Sequence, residues 1–354
     1  MKSGSESVDF KAHGFPERYD CFMALLDVPS AADFHQKEVL VAGGAGFLGS
    51  WLSETLLAHG SSVTCIDNLA TGREANISHL RTHKNFRFEK IDISDGIMDR
   101  HFDMIFHFAS RASPEEYQQH PVETMLANSI GTRNILELAA KYNSRVIYAS
   151  SSEVYGHPDV VPTPESYWGH VNPIGPRSCY DEGKRFGEAL CMAYLRAYNL
   201  DVRIVRIFNT YGPRIRGDGA YARAASRFIN QALRSEPLTV YGDGSQTRSF
   251  CFVTDTINAI LRVATSDAAR AEVFNIGNPR EITILTLAQL VEQLAGGSHG
   301  VKYGPLPEDD PPRRCPDISK ARSILGWEPR VGLEEGLSQT MRWFRENELP
   351  RSNT

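Results

Sequence analysis

The order of its apolar segments predicts an α/β protein, a doubly wound parallel sheet followed by a smaller lobe. Three observations carry that prediction. Short apolar strands alternate with helical patterns from Val39 onward. The first strand runs into a glycine-rich turn, Gly43-Gly44-Ala45-Gly46-Phe47-Leu48-Gly49, that opens a helix. Beyond Gly212 the alternation gives way to shorter elements separated by proline and glycine.

Strands are expected over 39–42, 62–66, 86–90, 104–108, 146–149 and 202–208, with helices over 47–58, 122–142 and 180–198. The strands are brief apolar runs, and the helices show apolar residues at helical spacing. Alternation of this kind means parallel strands joined by crossover helices, with ligands at the carboxyl ends of the strands. Residues 37–212 are therefore expected to form a Rossmann domain. Residues 213–348 are expected to form mainly a substrate-binding lobe, with some exchange between the two after 212. That lobe should hold a strand over 238–241 and helices over 222–234, 256–264, 285–294, 318–325 and 333–344. Residues 1–36 differ from the rest. They begin polar and then offer the apolar piece Cys21-Phe22-Met23-Ala24-Leu25-Leu26, expected as a flexible start and an arm packed on the body.

With 354 residues, 41% hydrophobic and 23% charged, the chain is long enough for both lobes and ordinary in composition. A net charge of −5 argues against nucleic acid or an anionic membrane surface as the main partner. No apolar run approaches the ~20 residues that cross a bilayer, and the acidic start has no signal-peptide core. The six cysteines, Cys21, Cys65, Cys179, Cys191, Cys251 and Cys315, lack paired metal spacing. They are expected to be reduced thiols of a cytoplasmic protein without a metal site.

Gly43, Gly46 and Gly49 are spaced G-x-x-G-x-x-G between a strand and a helix. Glycine lets the turn close and lets backbone approach a pyrophosphate, which the helix N-terminus then faces. Asp67 closes the next strand, 18 residues after Gly49, where an acid accepts hydrogen bonds from the adenosine ribose. Asn68 follows it in place of an arginine, so NAD is expected over NADP, although Arg73 in Thr71-Gly72-Arg73 stands close by. Phe47, Leu48, Asn68, Thr71, Gly72 and Ser110 are expected around the cofactor, and Asp92 with Ile93 beside the adenine. Asp92 reads equally well as a strand-end carboxylate.

Tyr180 and Lys184 stand four residues apart on one helix face. A buried lysine cation beside a phenol lowers its pKa, so Tyr180 is a candidate base and Lys184 a candidate holder of the nicotinamide ribose. The preceding strand ends in Ser150-Ser151-Ser152-Glu153, which puts hydroxyls at the same edge of the sheet.

Together these stretches, with Ile207-Phe208-Asn209-Thr210-Tyr211-Gly212-Pro213, resemble the extended short-chain dehydrogenases that modify nucleotide sugars. The stretch from Tyr167-Trp168-Gly169-His170 through Gly175-Pro176-Arg177-Ser178-Cys179-Tyr180 to Arg185 resembles the UDP-glucuronate decarboxylases, or UDP-xylose synthases. So do Leu238-Thr239-Val240-Tyr241-Gly242-Asp243-Gly244-Ser245-Gln246-Thr247-Arg248, Asp309-Asp310-Pro311-Pro312-Arg313-Arg314-Cys315-Pro316-Asp317 and Leu325-Gly326-Trp327-Glu328-Pro329. The similarity covers about 37–344.

This resemblance implies a chemistry. Tyr180 removes the C4 hydroxyl proton while NAD takes hydride, the 4-keto sugar loses carbon dioxide, C5 is protonated and the hydride returns. Ser151 and Ser152 would assist, and Glu153 points to decarboxylation. The 4,6-dehydratases carry Asp where Ser152 stands, and the 4-epimerases usually lack the Glu. Arg314 matches the family arginine beside the sugar carboxylate, a fit for a planar permanent cation. Arg248 and Asn209 match residues on the diphosphate, Ser110 and Glu153 face the sugar, and Tyr241 reads either as a flank for the uracil or as plain packing at a strand end. A homodimer through a four-helix seam, built from the helices over 122–142 and 180–198, is also implied.

Two departures stand out. Relatives usually read Ser-Pro-Ala-Ser-Pro-Pro-Asn-Tyr where this chain has Ser110-Arg111-Ala112-Ser113-Pro114-Glu115-Glu116-Tyr117. They also tend to carry Lys where it has Leu126. Three other readings stay open: a UDP-sugar 4-epimerase, a decarboxylase releasing the 4-keto pentose with NADH, and a non-catalytic dinucleotide sensor on the same fold.

Overall fold

A computed structural model describes residues 31–219 and 222–348 of the chain. The expected N-terminal arm, including its apolar piece over 21–26, therefore lies almost wholly outside the described residues. Phe34, near the arm's end, is fully buried in the main core, and its carbonyl accepts the Ser61 hydroxyl at 2.7 Å.

Six strands are formed by Glu38–Ala42 (β1), Ser62–Asp67 (β2), Phe86–Lys90 (β3), Met104–His107 (β4), Arg145–Ser151 (β5) and Val202–Ile207 (β6). They join a seventh, Val273–Ile276, in one parallel sheet. Its order is Val273–Ile276, β6, β5, β4, β1, β2, β3. The chain thus winds outward from β1 in one direction and from β4 in the other. β1 and β4 are neighbours, with Ala42 level with both Ile66 and His107. Their carboxyl ends open the crevice that this topology creates.

Both faces of the sheet are covered, which explains why β1 is apolar throughout instead of alternating. Val39 and Val41 pack on one side with Leu52 and Leu56 of helix Phe47–Ala58 and Ile257 and Ile260 of helix Val253–Thr265. Leu40 and Ala42 pack on the other side with Ile135, Leu136 and Ala139 of helix Thr132–Tyr142 and Cys191 of helix Ser178–Tyr198.

Most expected elements are present within a few residues, one expected helix is broken, and several short strands were not expected. The helix expected over 122–142 is broken by a π turn at Ala127–Gly131 between Pro121–Leu126 and Thr132–Tyr142. There Asn128 donates to both Thr124 O and the Ser110 hydroxyl, each at 2.9 Å, and a Cβ on Gly131 would meet Ile93 at 2.6 Å. The strand Val273–Ile276 went unpredicted because its buried Asn275 interrupts the apolar pattern. That side chain accepts from Tyr155 Oη at 2.7 Å and donates to Thr163 O at 2.9 Å and Asp317 O at 3.0 Å.

The later part of the chain adds a three-stranded sheet. Thr247–Ser249 lies between Glu281–Thr283, antiparallel, and Arg313–Arg314, parallel, so Arg248 and Arg314 are register partners. Strand Leu238–Tyr241 pairs with Val301–Gly304.

Arg203 of β6 ties the sheet to helix Val253–Thr265. It is 1% exposed, and its Nη1 donates to the carbonyls of Val263, Ala264 and Ser266 at 2.7, 3.0 and 2.7 Å. Those are helix-end acceptors with no partner further along the helix. Asp201 balances the charge at 3.0 Å. We predict that Arg203→Met lowers stability by about 3 kcal/mol, since the Val263 and Ser266 carbonyls lose this donor while Asp201 and Ala264 O keep only Arg145. A thermal midpoint within one degree of the parent chain would contradict this account.

Candidate active site

Two connected cavities open at the carboxyl edge of the sheet. The first is lined by Gly43, Gly46, Phe47, Leu48, Gly49, Thr71, Ser110, Ser151, Tyr180 and Lys184. The second, about 420 Å³, is lined by Glu153, Arg177, Tyr241, Gln246, Arg248, Asp310 and Arg314. Asn209, Ser113 and Arg223 belong to both.

The glycine turn shapes the first cavity. Gly43 has φ +80°, and a Cβ there would stand 2.7 Å from Ala109 N. A Cβ on Gly49 would overlap Gly43 O, so this glycine lets helix Phe47–Ala58 sit against the strand end. Gly46 caps the helix without a side chain, and the first turn faces the groove. Asp67 is 8% exposed and braces the turn, its Oδ2 accepting from Ala45 N at 3.0 Å and its Oδ1 from Leu69 N at 2.8 Å. Burial pushes its carboxyl up, against these backbone donors. Each oxygen keeps a second lone pair for a ribose hydroxyl.

Farther out, Asp67, Asn68, Thr71, Asp92, Ile93 and Ser110 line the continuation of the groove. Asn68 donates to Asp92 at 2.7 Å. Gly72 sits behind Asp67, where a Cβ would crowd its carboxylate at 2.8 Å. Arg73 turns away, onto Asp218 at 2.6 Å and Glu348. A glycine cradle that ends at an acid, with Arg73 held on Asp218 and Glu348 and Arg111 held on Glu116, fits NAD.

Tyr180 and Lys184 are 5% and 2% exposed on helix Ser178–Tyr198. Lys184 Nζ donates to Ala149 O at 2.9 Å and lies 5.7 Å above the Tyr180 ring centre. The expectation that the lysine cation draws the phenol toward neutrality is not what this geometry gives. Burial pushes Tyr180 up to about 12, with Arg223 and a hydrogen bond to Ser151 acting against it. Burial also brings Lys184 down to about 7. Both groups share one desolvated pocket, and the ammonium points at a carbonyl. Tyr117 stacks on Tyr180 with ring centres 5.0 Å apart and planes 2° from parallel.

Glu153 projects from the turn after β5, where the Ser151 hydroxyl accepts its backbone N–H at 3.3 Å. Its carboxylate is held by two guanidinium groups, Arg177 at 2.6 Å and Arg314. Burial would raise this carboxyl, but Arg314 and Arg177 outweigh burial and hold it well below the ordinary range. Arg177 also faces Asp310 at 3.6 Å and Asp181 at 3.9 Å, and Arg248 pairs with Asp310 at 2.7 Å. Asp181 goes the other way: burial and the Glu153 charge raise it.

Arg177, Arg223, Asp310 and Tyr117 escaped the sequence reading. Arg177 had a signal, three residues ahead of Tyr180 and so on the same side of the helix start. Asn209 lies where the cavities meet, and its buried Nδ2 has no hydrogen-bond partner among the described residues. Tyr241 lies under Arg227, 4.9 Å from its ring centre, and donates to Glu115 at 3.5 Å. Ser152 is buried and is not among the residues lining either cavity.

The unusual loop residues pair locally: Arg111 with Glu116, and Glu115 with Arg227 at 2.9 Å. Leu126 is 38% exposed and lines neither cavity. All five described cysteines are free and buried. No group of metal-ligating residues occurs among the described residues, and none of their helices is long and apolar enough to cross a membrane.

Residues 39–277 match the NAD dependent epimerase/dehydratase family. UDP-glucuronic acid decarboxylase 1 of Xenopus tropicalis is 47% identical over 312 residues, 88% of this chain and 73% of that protein. UDP-glucuronic acid decarboxylase 2 of Arabidopsis thaliana is 48% identical over 308 residues, 87% of this chain and 68% of that protein. Among solved structures, a UDP-glucuronic acid 4-epimerase from Bacillus cereus, in complex with UDP-glucuronic acid and NAD, is similar with a TM-score of 0.79. It is 29% identical, over 87% of this chain and 99% of the other. The glycine cradle, the Tyr180–Lys184 pair and the buried Glu153 cluster thus sit in a chain that belongs to the NAD dependent epimerase/dehydratase family and, within it, to the UDP-glucuronic acid decarboxylases.

Proposed function

We propose that this protein converts UDP-glucuronate to UDP-xylose and carbon dioxide, with NAD as its resident cofactor. The observation that carries the reading is the buried Glu153 carboxylate shared between Arg177 and Arg314, in the cavity that adjoins Tyr180. NAD, held along Gly43, Gly46, Phe47, Leu48, Gly49, Asp67 and Lys184, would supply reversible uptake of the C4 hydride.

The chain's own residues then account for the remaining steps. Tyr180 takes the C4 hydroxyl proton and gives it back, with Ser151 hydrogen-bonded to its oxygen. The Arg223 charge, which acts against burial on Tyr180, lowers the phenol and favours that exchange. Once C4 is a ketone, the C5 carboxylate is a β-keto acid and leaves as carbon dioxide, its electrons passing to an enolate. The Ser151 and Tyr180 hydroxyls stand at the sheet edge to stabilise that oxygen. Arg314 turns from Glu153 to the sugar carboxylate. Glu153 then loses one cation and gains an anionic neighbour, both of which raise its pKa. Arg177 keeps it in place while it passes a solvent-derived proton to C5, directly or through a water. One proton is consumed for each carbon dioxide released.

Two further points belong to this reading. The buried free cysteines support a reducing compartment, the cytoplasm. Two copies pair through the helices at Pro121–Tyr142 and Ser178–Tyr198, whose Val122, Met125, Ile130, Phe186 and Tyr198 stand 65%, 46%, 43%, 49% and 66% exposed.

The deciding experiment incubates the protein with UDP-glucuronate and NAD and follows products by proton NMR. UDP-xylose without net NADH is expected. A hexuronate inverted at C4 would make the protein an epimerase instead. Glu153→Gln should slow decarboxylation about a hundredfold. Arg314→Ala should weaken UDP-glucuronate about thirtyfold while leaving UDP-glucose affinity alone.

Asp181 predicts a pH dependence of stability. A carboxyl raised to about 8 in the folded chain binds a proton that the unfolded chain has already lost. Its contribution is therefore favourable at low pH and lost as pH climbs toward 8. Asp181→Asn mimics the protonated form, so its stability relative to the parent should rise from pH 4 to 8 in urea titrations. A flat difference would refute the assignment. Sedimentation equilibrium should return twice the 39.4 kDa chain mass, and a mass of one chain would remove the dimer.

A further inference from the structure

The segment 213–218 runs along one wall of the cofactor cavity, which Arg214, Ile215 and Arg216 line together with Gly46, Thr71 and Lys184. It is anchored on two sides by interactions of different kinds. The inner anchor is buried. Trp51 Nε1 donates to Pro213 O at 3.0 Å, and Arg214, paired with Glu54, lies 4.3 Å above the Trp51 ring. Both partners belong to helix Phe47–Ala58. The outer anchor is only part-buried. Arg216 reaches Thr71 O at 3.5 Å and grips Asp218 through Nε at 3.1 Å and Nη2 at 2.7 Å. Arg73, across the groove, holds the same Asp218 carboxylate at 2.6 Å, and its other nitrogen holds Glu348 at the end of helix Leu333–Asn347. Asp218 is 45% exposed and Arg73 25%.

This difference matters energetically. Breaking a fully buried pair strands a charge, whereas a pair that water reaches on one side opens at smaller cost and is partly screened by salt. The inner anchor therefore stays while the outer one can open, over the groove edge between Thr71 and Arg216.

We propose that Asp218 and Arg73 form a latch on the cofactor groove that decides whether the sugar leaves as UDP-xylose or as the UDP-4-keto-pentose. The inference rests on the decarboxylase reading. Oxidation moves two electrons and a proton from C4 as hydride. If reduction completes, they return and no NADH accumulates. If the groove opens first, one NADH leaves for each 4-keto pentose. Neither residue touches the reacting atoms, so both act as positioning residues by setting how long the groove stays closed.

The test compares the parent holoenzyme with Asp218→Asn, using Glu272→Gln as a control, since Glu272 forms a part-buried pair with Lys320 at 2.6 Å. Bound NADH is displaced by excess NAD and its release followed by fluorescence. Release should be about fivefold faster in Asp218→Asn, the scale of a single ion pair that water reaches, and unchanged in the control. Raising salt should speed release from the parent more than from the variant. Proton NMR and NADH absorbance during turnover should show more 4-keto pentose in the variant, matched one for one by NADH. Equal release rates and equal product ratios would overturn the latch. A parent enzyme that releases no carbon dioxide from UDP-glucuronate would instead overturn the decarboxylase reading, with the release rates still deciding whether Asp218 closes the groove.

Discussion

The site depends on one interaction, the sharing of Glu153 between Arg177 and Arg314. Three charged groups at 15% side-chain exposure or less are costly to desolvate unless they pair. Pairing them joins three separate pieces of the chain: the turn after β5, the residue before helix Ser178–Tyr198, and the strand Arg313–Arg314. The same contacts therefore seat the later sheet against the first and place an anion-binding group beside Tyr180. Extended through Asp310 and Arg248, the cluster sets three guanidinium groups against two carboxylates, with Asp181 raised toward its neutral form. One positive charge remains in a chain whose net charge is −5. A sugar bearing a carboxylate and a diphosphate meets that local field, which the total charge conceals.

The cofactor groove is built on a different constraint, close packing of backbone. Gly43 and Gly49 are held where no Cβ fits, and Asp67 braces the turn through Ala45 and Leu69. Its carboxylate is thus part of the turn's structure as well as of the groove's lining. Removing it should disturb the cradle itself, in addition to depriving a ribose of its acceptor. Tyr180 and Lys184 show the same dual dependence. Their shared burial moves the phenol up and the ammonium down, so their reactivity is set by what else enters the pocket.

Much of this was legible in the sequence wherever the cause is local. The turn at Gly43–Gly49 follows from glycine spacing between a strand and a helix, and Tyr180 and Lys184 share a helix face by their spacing alone. Strand and helix positions came through because period and length are properties of neighbouring residues. Where the pattern misled, the cause lies in distant partners. Asn275 hid the strand Val273–Ile276 because its amide is satisfied by Tyr155, Thr163 and Asp317, residues far away in the chain. The π turn at Ala127–Gly131 hinges on Asn128 finding Ser110.

The sequence by itself determined the fold class, the glycine cradle, the Tyr180–Lys184 pair and, through its resemblance, the kind of sugar chemistry. Tertiary structure alone decided what Glu153 is bonded to, that Arg177 shares it, that Asp310 bridges Arg177 and Arg248, and that Arg73 is spent on Asp218 instead of the groove. The reason is range. Backbone periodicity and turn chemistry act over a few residues, whereas Arg314 meets Glu153 across 161 positions. A charge's pKa, its partner and its freedom to bind a ligand depend on that meeting, and no local pattern encodes it.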